Sequence, residues 1–365
     1  MAEMIIPVYQ PNISGNERKY VNECLDSTWI SSKGKFIELF EYEFSKYIGC
    51  KYAITVSNGT VALHVALLAM GIGPGDEVLV PSLTYIASVN AIAYTGATPV
   101  FVDACPDSWQ MNIEETEKKI TKNTKAILAV HLYGDACNIG MLQSICSKNN
   151  LVLIEDCAEA LGTRYDGKMV GTFGDIATFS FYGNKTITTG EGGMVVTNNP
   201  DIKDKCFKLK GQGLANNKEY WHDVIGFNYR MTNVCAALGL AQLERLDSIL
   251  LRKKEIANYY FQELKQDKLQ FPREIDKNTS SHWMCNVLVD NEGQRDKLRK
   301  YLAGFGIETR PVFYPIHTMP IYEKEDVKLP VSENLSLKGI TLPSFPDLSK
   351  DQMDYIVKNI HNFLK

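Results

Sequence analysis

Apolar positions in the first half of the chain come in short runs, each followed by a longer stretch of helical periodicity. Residues 17–47 are mostly polar and helical in pattern, with an interruption at Gly34. Tyr52–Val56 is a short apolar strand that runs into Ser57-Asn58-Gly59-Thr60, and 61–70 follows as an apolar helix that Gly71 would cap. Strands are predicted at 77–80, closed by Pro81, at Thr98–Val102, at 124–132 and at 151–154, with helices at 86–94 and 139–149. That alternation predicts parallel strands joined by crossover helices. Two further strands, 174–182 and 193–197, lie close together in sequence, so the sheet gains extra strands after its βα repeats. Beyond Arg230 the pattern predicts one long helix over 232–265, a strand at 281–289, a helix at 293–304 and a final helix at 349–364. Residues 310–346 hold six prolines and read as a loop-rich edge. The chain divides into a large domain, 1–245, and a smaller C-terminal one, 246–365.

Composition narrows the class. Of 365 residues, 45% are hydrophobic and 22% charged, ordinary for a globular protein able to bury a full core. A net charge of -4 gives no electrostatic reason to expect a nucleic acid or an anionic membrane as partner. The nine cysteines contain no C-x-x-C pair and are expected as free thiols in a reducing cytoplasm. No basic segment followed by an apolar run opens the chain, and no window approaches the length of a membrane span.

Three places could carry chemistry. Ser57-Asn58-Gly59-Thr60 joins a strand to a helix, where backbone N–H groups bind phosphate; a polar turn that only caps the helix has the same pattern. Glu155-Asp156 ends an apolar strand, the edge at which open α/β sheets collect ligands. An acid there can pair with a cationic ring nitrogen, or simply cap the next helix. Lys185 lies in a loop of Gly, Asn, Thr and aromatic residues between Ser180 and Glu191-Gly192-Gly193. A lysine that attacks a carbonyl must lose its proton, so it needs surroundings that lower its pKa; a solvated surface lysine is the alternative. Gly183-Asn184-Lys185-Thr186 lacks the spacing of a P-loop, and Gly71-Ile72-Gly73-Pro74-Gly75 precedes a strand instead of opening a helix, against a dinucleotide fingerprint. His64 reads as a packed core residue and His131 is ambiguous. His317, in an aromatic, proline-rich loop, reads either as substrate wall or as a buried structural residue. No His, Asp or Glu set has metal-ligand spacing.

In fixed order, Ser57-Asn58-Gly59-Thr60, Glu155-Asp156-Cys157-Ala158-Glu159, Ser180 with Lys185, Glu191-Gly192-Gly193 and Gly226-Phe227-Asn228-Tyr229-Arg230 resemble the DegT/DnrJ/EryC1/StrS family of sugar aminotransferases. The likeness spans nearly the whole chain. It implies an α/β, aspartate-aminotransferase-like (fold type I) large domain with a mixed, mostly parallel sheet, plus a smaller α/β domain. It implies pyridoxal 5'-phosphate (PLP), with its aminated form PMP, as cofactor. Lys185 then matches the lysine that bonds to PLP, and Asp156 the acid that keeps the pyridine nitrogen protonated. Tyr85 matches an aromatic stacked on the ring, and Gly59, Thr60 and Ser180 match the phosphate cradle. Asn228 matches a residue reaching the phosphate from a neighbouring subunit. Arg230, Tyr314 and His317 fall in stretches bordering the nucleotide-sugar site. Glu159 stands where many relatives have Gln or His near the ring oxygen, so its hydrogen bond there depends on its protonation.

The activity implied is transfer of the amino group of L-glutamate to C4 of GDP-4-keto-6-deoxy-D-mannose, for surface polysaccharide such as O-antigen. The assembly implied is a homodimer sharing its active sites, with a tetramer as the larger alternative. A UDP- or dTDP-linked acceptor is the alternative substrate. A sugar dehydratase of the same family carries histidine in place of Lys185, and a nicotinamide oxidoreductase lacks its glycine fingerprint here.

Overall fold

The computed structural model describes residues 5–215, 217–265, 269–323 and 326–365. Helices α1 (Glu17–Asp26) and α2 (Lys35–Ile48) precede β1 (Tyr52–Val56), α3 (Gly59–Ala69), β2 (Glu77–Pro81), α4 (Ala87–Tyr94) and β3 (Thr98–Val102). Then come α5 (Ile113–Lys118), β4 (Thr124–Val130), a 3-10 turn at Leu132–Gly134, α6 (Ile139–Asn149) and β5 (Val152–Asp156). The short β6 (Arg164–Tyr165) and β7 (Lys168–Met169) lead to β8 (Ile176–Ser180), β9 (Gly193–Thr197) and α7 (Pro200–Lys210). The C-terminal part contains α8 (Asn233–Leu243), α9 (Leu246–Leu264), β10 (Leu269–Gln270), β11 (Asn278–Thr279) and β12 (Cys285–Val289). It closes with α10 (Gln294–Ala303), β13 (Arg310–Pro311), α11 (Pro330–Lys338), β14 (Gly339–Leu342) and α12 (Lys350–Leu364).

Seven strands form the main sheet in the order β1-β9-β8-β5-β4-β2-β3. Only β9 runs against its neighbours, so the sheet is mixed and mostly parallel, as the repeats predicted. Its strands are apolar throughout because helices cover both faces. On one face α3 is buried almost all round, which explains why it lacks a polar stripe: Leu63, Val65, Ala66 and Leu67 are all inaccessible or nearly so. On the other face, Phe40 and Phe44 of α2 meet Phe179 and Phe181 edge-on or tilted. A four-stranded sheet, β10-β12-β14-β13, has its own core with α9, α10 and α12, and Ile6 from the start of the chain joins that core.

Two features differ from the sequence reading. The helix expected over 232–265 breaks at Glu244 and Arg245, where Arg245 N–H bonds to the carbonyl of Gln242 and neither proline nor glycine marks the spot. The proline-rich edge contains α11 and β14, and β14 lies between β12 and β13. Pro330 hides this helix from a proline count, because proline is well placed in a first helical turn. Helix α7 also went unread.

Parallel pairing fixes the site. Strand β1 runs with β8, since each opposes β9, so the C-terminal ends of β1, β2, β4, β5 and β8 share one edge. The turn at Asn58, the stretch from Ser82 to Ser88, the Asp156 carboxylate and the Lys185 loop all emerge there.

Candidate active site

At that edge lies a cavity of about 670 Å³. Gly59, Thr60, Tyr85, Asp156, Glu159, Ser180 and Lys185 all line it, so seven residues picked from separate stretches of sequence meet in one place.

At one end, Asn58 caps α3 by accepting the Val61 N–H at 3.0 Å. The N–H groups of Gly59 and Thr60 have no carbonyl to reach within the helix and so suit an anion. Glycine lets the turn and the neighbouring strands close up: a Cβ on Gly59 would lie 2.7 Å from the Ser180 Cβ, and one on Gly193 would lie 2.5 Å from the Asn58 carbonyl oxygen, so Ser180 stands directly against the turn. A phosphate-sized ligand beside the Ser180 hydroxyl fits this cradle.

Asp156 is buried at the end of β5. Ser88 Oγ donates to its Oδ2 at 2.7 Å and the Ala158 N–H to its Oδ1 at 3.0 Å. Each oxygen keeps a lone pair, so the carboxylate can still accept from a ring N–H⁺. Glu159, also buried, accepts the Tyr133 N–H at 2.8 Å and lies 4.0 Å from Lys185 Nζ. Burial pushes its carboxyl up to about 7, against the pull of Lys185. Tyr133 holds this bond from a left-handed backbone, φ 58°, with its ring stacked on Trp283 and Phe313.

The Lys185 side chain is 11% exposed. Burial lowers its pKa, while Glu159 and Asp156 oppose that shift. Its carbonyl accepts the Tyr9 hydroxyl at 2.6 Å, and the preceding carbonyl, of Asn184, accepts the Trp283 indole N–H at 2.7 Å. The result is a lysine that can lose its proton, on a backbone held at two adjacent points.

Four other picked residues lie elsewhere. Asn228 is exposed and does not line the cavity, although the next carbonyl, of Tyr229, accepts the Ser57 N–H at 2.8 Å. Arg230 donates to the Gly211 carbonyl at 3.2 Å. Tyr314 is half-exposed near Arg295. His317 is buried between Ser82 Oγ at 2.7 Å and Glu333 Oε1 at 3.1 Å. Ser88, Trp283, Arg310 and Phe313 also line the cavity and were not sequence candidates, and Glu191, which lines it too, entered only as part of the Glu191-Gly192-Gly193 motif. Arg310 and Phe313 stand a few residues before Tyr314, in the stretch already singled out.

The ambiguous His131 belongs to the scaffold. Its Nδ1 accepts the Cys137 N–H at 3.1 Å, and its Nε2 lies 3.0 Å from Glu155 Oε2. Those bonds define a neutral ring donating from Nε2, so the His131, Glu155 and Cys157 cluster has no imidazole lone pair left for a metal ion.

The DegT/DnrJ/EryC1/StrS aminotransferase family model matches residues 11–361. The chain is 58% identical to the GDP-perosamine synthase of Escherichia coli O157:H7 and 52% identical to that of Vibrio cholerae, covering 98% of this chain in each case and 98% and 99% of those proteins. Among solved structures it resembles Spr1654 of Streptococcus pneumoniae, known in PLP and PMP forms, with a TM-score of 0.94 and 29% identity over 99% of this chain and 98% of that one. The chain belongs to the DegT/DnrJ/EryC1/StrS aminotransferase family. It is a PLP-dependent transaminase, and the phosphate cradle, the buried Asp156 and the deprotonatable Lys185 fit that cofactor.

Proposed function

We propose that this enzyme works as a GDP-perosamine synthase, transferring the amino group of L-glutamate to C4 of GDP-4-keto-6-deoxy-D-mannose. The observation that carries the chemistry is Lys185, a buried amine lining the same cavity as Asp156 and the phosphate turn. The nucleotide sugar is inferred from the likeness to the two GDP-perosamine synthases.

Gly59, Thr60 and Ser180 would hold the cofactor phosphate, Tyr85 would cover the ring, Asp156 would accept from its nitrogen, and Glu159 in its protonated form would donate to the ring oxygen; that all of them line one cavity supports these roles. When bound, PLP supplies an electron sink that makes the glutamate Cα–H acidic. Lys185 Nζ would accept that proton, and in the second half of the reaction would hold the proton returned to the sugar C4. Arg230, Tyr314 and His317 are assigned to the border of the nucleotide-sugar site, His317 through its hold on Ser82 rather than by contact.

Asn228 is assigned to the cofactor phosphate of a second subunit in a homodimer. Its exposure supports this, as do the exposed apolar side chains of Tyr220, Trp221, Val224 and Ile225 just before it. The separate core of the small sheet supports a division into two domains, 1–245 and 246–365, with the exchange that Ile6 packs into the smaller core and Leu246 and Ile249 into the larger. Nine free thiols accord with a cytoplasmic setting, and O-antigen or a related surface polysaccharide is the destination of the product.

The test is incubation with glutamate and a panel of GDP-, UDP- and dTDP-linked 4-keto-6-deoxy sugars, read by mass spectrometry. Amination of the GDP-linked sugar is expected. Amination of only a UDP- or dTDP-linked sugar would overturn the substrate and leave the reaction class standing.

A further inference from the structure

Trp283 does more than close the cavity. Its side chain is almost inaccessible, yet it lines the cavity, and Lys185 Nζ lies over it, 4.0 Å from the ring centroid. Its indole N–H holds the Asn184 carbonyl, one residue before the lysine. Its own carbonyl accepts from Lys253 Nζ at 2.7 Å. Lys253 is fully buried, also bonds the Ser344 carbonyl, and lies 5.4 Å from the ring of Tyr9, the residue whose hydroxyl holds the Lys185 carbonyl. Trp283 and Tyr9 therefore hold the adjacent carbonyls of Asn184 and Lys185, and Trp283 places an aromatic face beside the amine.

We propose that Trp283 is a positioning residue for Lys185, its indole face receiving the protonated amine in the part of the cycle when the lysine is not bonded to the cofactor. This rests on the PLP reading above. An ammonium over an aromatic face is attracted by the ring quadrupole, whereas a neutral amine gains much less. Lys185 must be neutral to attack and must carry a proton after taking one from the substrate. Burial alone would make the second state too costly, and the indole offsets part of that cost without a second buried charge.

Other groups face the same amine. Glu159 and Asp156 favour the ammonium; Glu191 and Arg310, of opposite sign, stand on the cavity wall with the Tyr85 and Tyr182 side chains. Beside Trp283, burial pushes the His282 imidazole down to about 4, so it stays neutral as well. All of these remain in a Trp283 variant, which removes only the indole ring and its N–H bond to Asn184.

The experiment follows PLP capture by the cofactor-free protein through the visible absorbance that appears when the lysine bonds to it. The rate is measured as a function of pH for wild type, Trp283→Phe and Trp283→Leu, with circular dichroism to confirm folding. The midpoint reports the free Lys185 amine. In Trp283→Leu it should fall by roughly one pH unit, because the ammonium loses its ring. Trp283→Phe, which keeps a weaker face but no N–H donor, should fall by less. A wild-type midpoint in a folded Trp283→Leu protein would overturn the proposal. If leucine prevents folding, an unshifted midpoint in Trp283→Phe overturns it instead. A wild-type protein that captures no PLP would overturn the cofactor reading and this proposal with it.

Discussion

Glu155 and Glu159 stand four residues apart in sequence, both buried, at the same edge of the sheet, yet they do opposite things. Glu155 is saturated. Its Oε1 accepts the N–H groups of Phe173 and Gly174, and its Oε2 accepts the Gly171 N–H and the His131 ring. Glu159 accepts a single backbone N–H, from Tyr133, and looks across 4.0 Å at Lys185. A buried carboxylate given enough donors is a fixed charge that holds a loop. One given too few is pushed toward its neutral form, and near about 7 it can change state as the cofactor and lysine beside it do. Counting donors separates scaffold from chemistry where burial does not.

That contrast can be broken or sharpened by substitution. The largest effect is expected at the partner that only Glu159 faces. Lys185→Ala should lower amino transfer by at least about 10³-fold while the melting temperature changes little, as measured by 2-oxoglutarate release and a thermal melt. Glu155→Ala should do the reverse. Three backbone N–H groups and the His131 donor would lose their acceptor, a loss of about 3–5 kcal/mol in a urea titration.

Glu159→Gln tests the pH side. The wild-type carboxyl binds its proton more tightly when folded, at about 7 against an ordinary 4.5. The stability linked to that proton is present below about 4.5 and is lost as pH rises through about 7. Glutamine carries no such proton. Unfolding free energies of the cofactor-free proteins from urea titration should therefore shift in favour of Glu159→Gln across that window, by on the order of 3 kcal/mol. A constant difference between the two proteins would remove the distinction drawn between the glutamates. The smallest effect belongs to Ser88→Ala, which removes one donor from Asp156 and should weaken PLP binding about tenfold in an equilibrium titration.

Much of this site was legible in the sequence, because its parts lie where local pattern is informative. Asp156 ends a strand, Asn58 to Thr60 turn a strand into a helix, and Ser180 and Lys185 flank a glycine-rich loop. A parallel sheet then collects strand ends on one edge without further instruction. Trp283, Tyr9 and Phe313 were not legible in this way. Trp283 and Tyr9 reach Lys185, and Phe313 reaches the cavity wall, from segments attached to the small sheet or the N-terminal stretch, and no periodicity encodes how those pieces dock. The difference in role between Glu155 and Glu159 was hidden for the same reason, since the donors that saturate Glu155 come from a loop at Gly171 to Gly174. His317 was legible only as two alternatives, substrate wall or buried structural residue, and its imidazole is buried and bonded to Ser82 and Glu333.

The central claim is that the cavity holding Lys185 carries out transamination, and it can be tested with glutamate alone. Purified protein loaded with PLP is mixed with L-glutamate and no sugar, and 2-oxoglutarate is quantified alongside the visible absorbance of the bound cofactor. The account predicts one equivalent of 2-oxoglutarate per active site with loss of the visible band in wild type, and neither change in Lys185→Ala. Wild-type protein that binds PLP but releases no 2-oxoglutarate would contradict it.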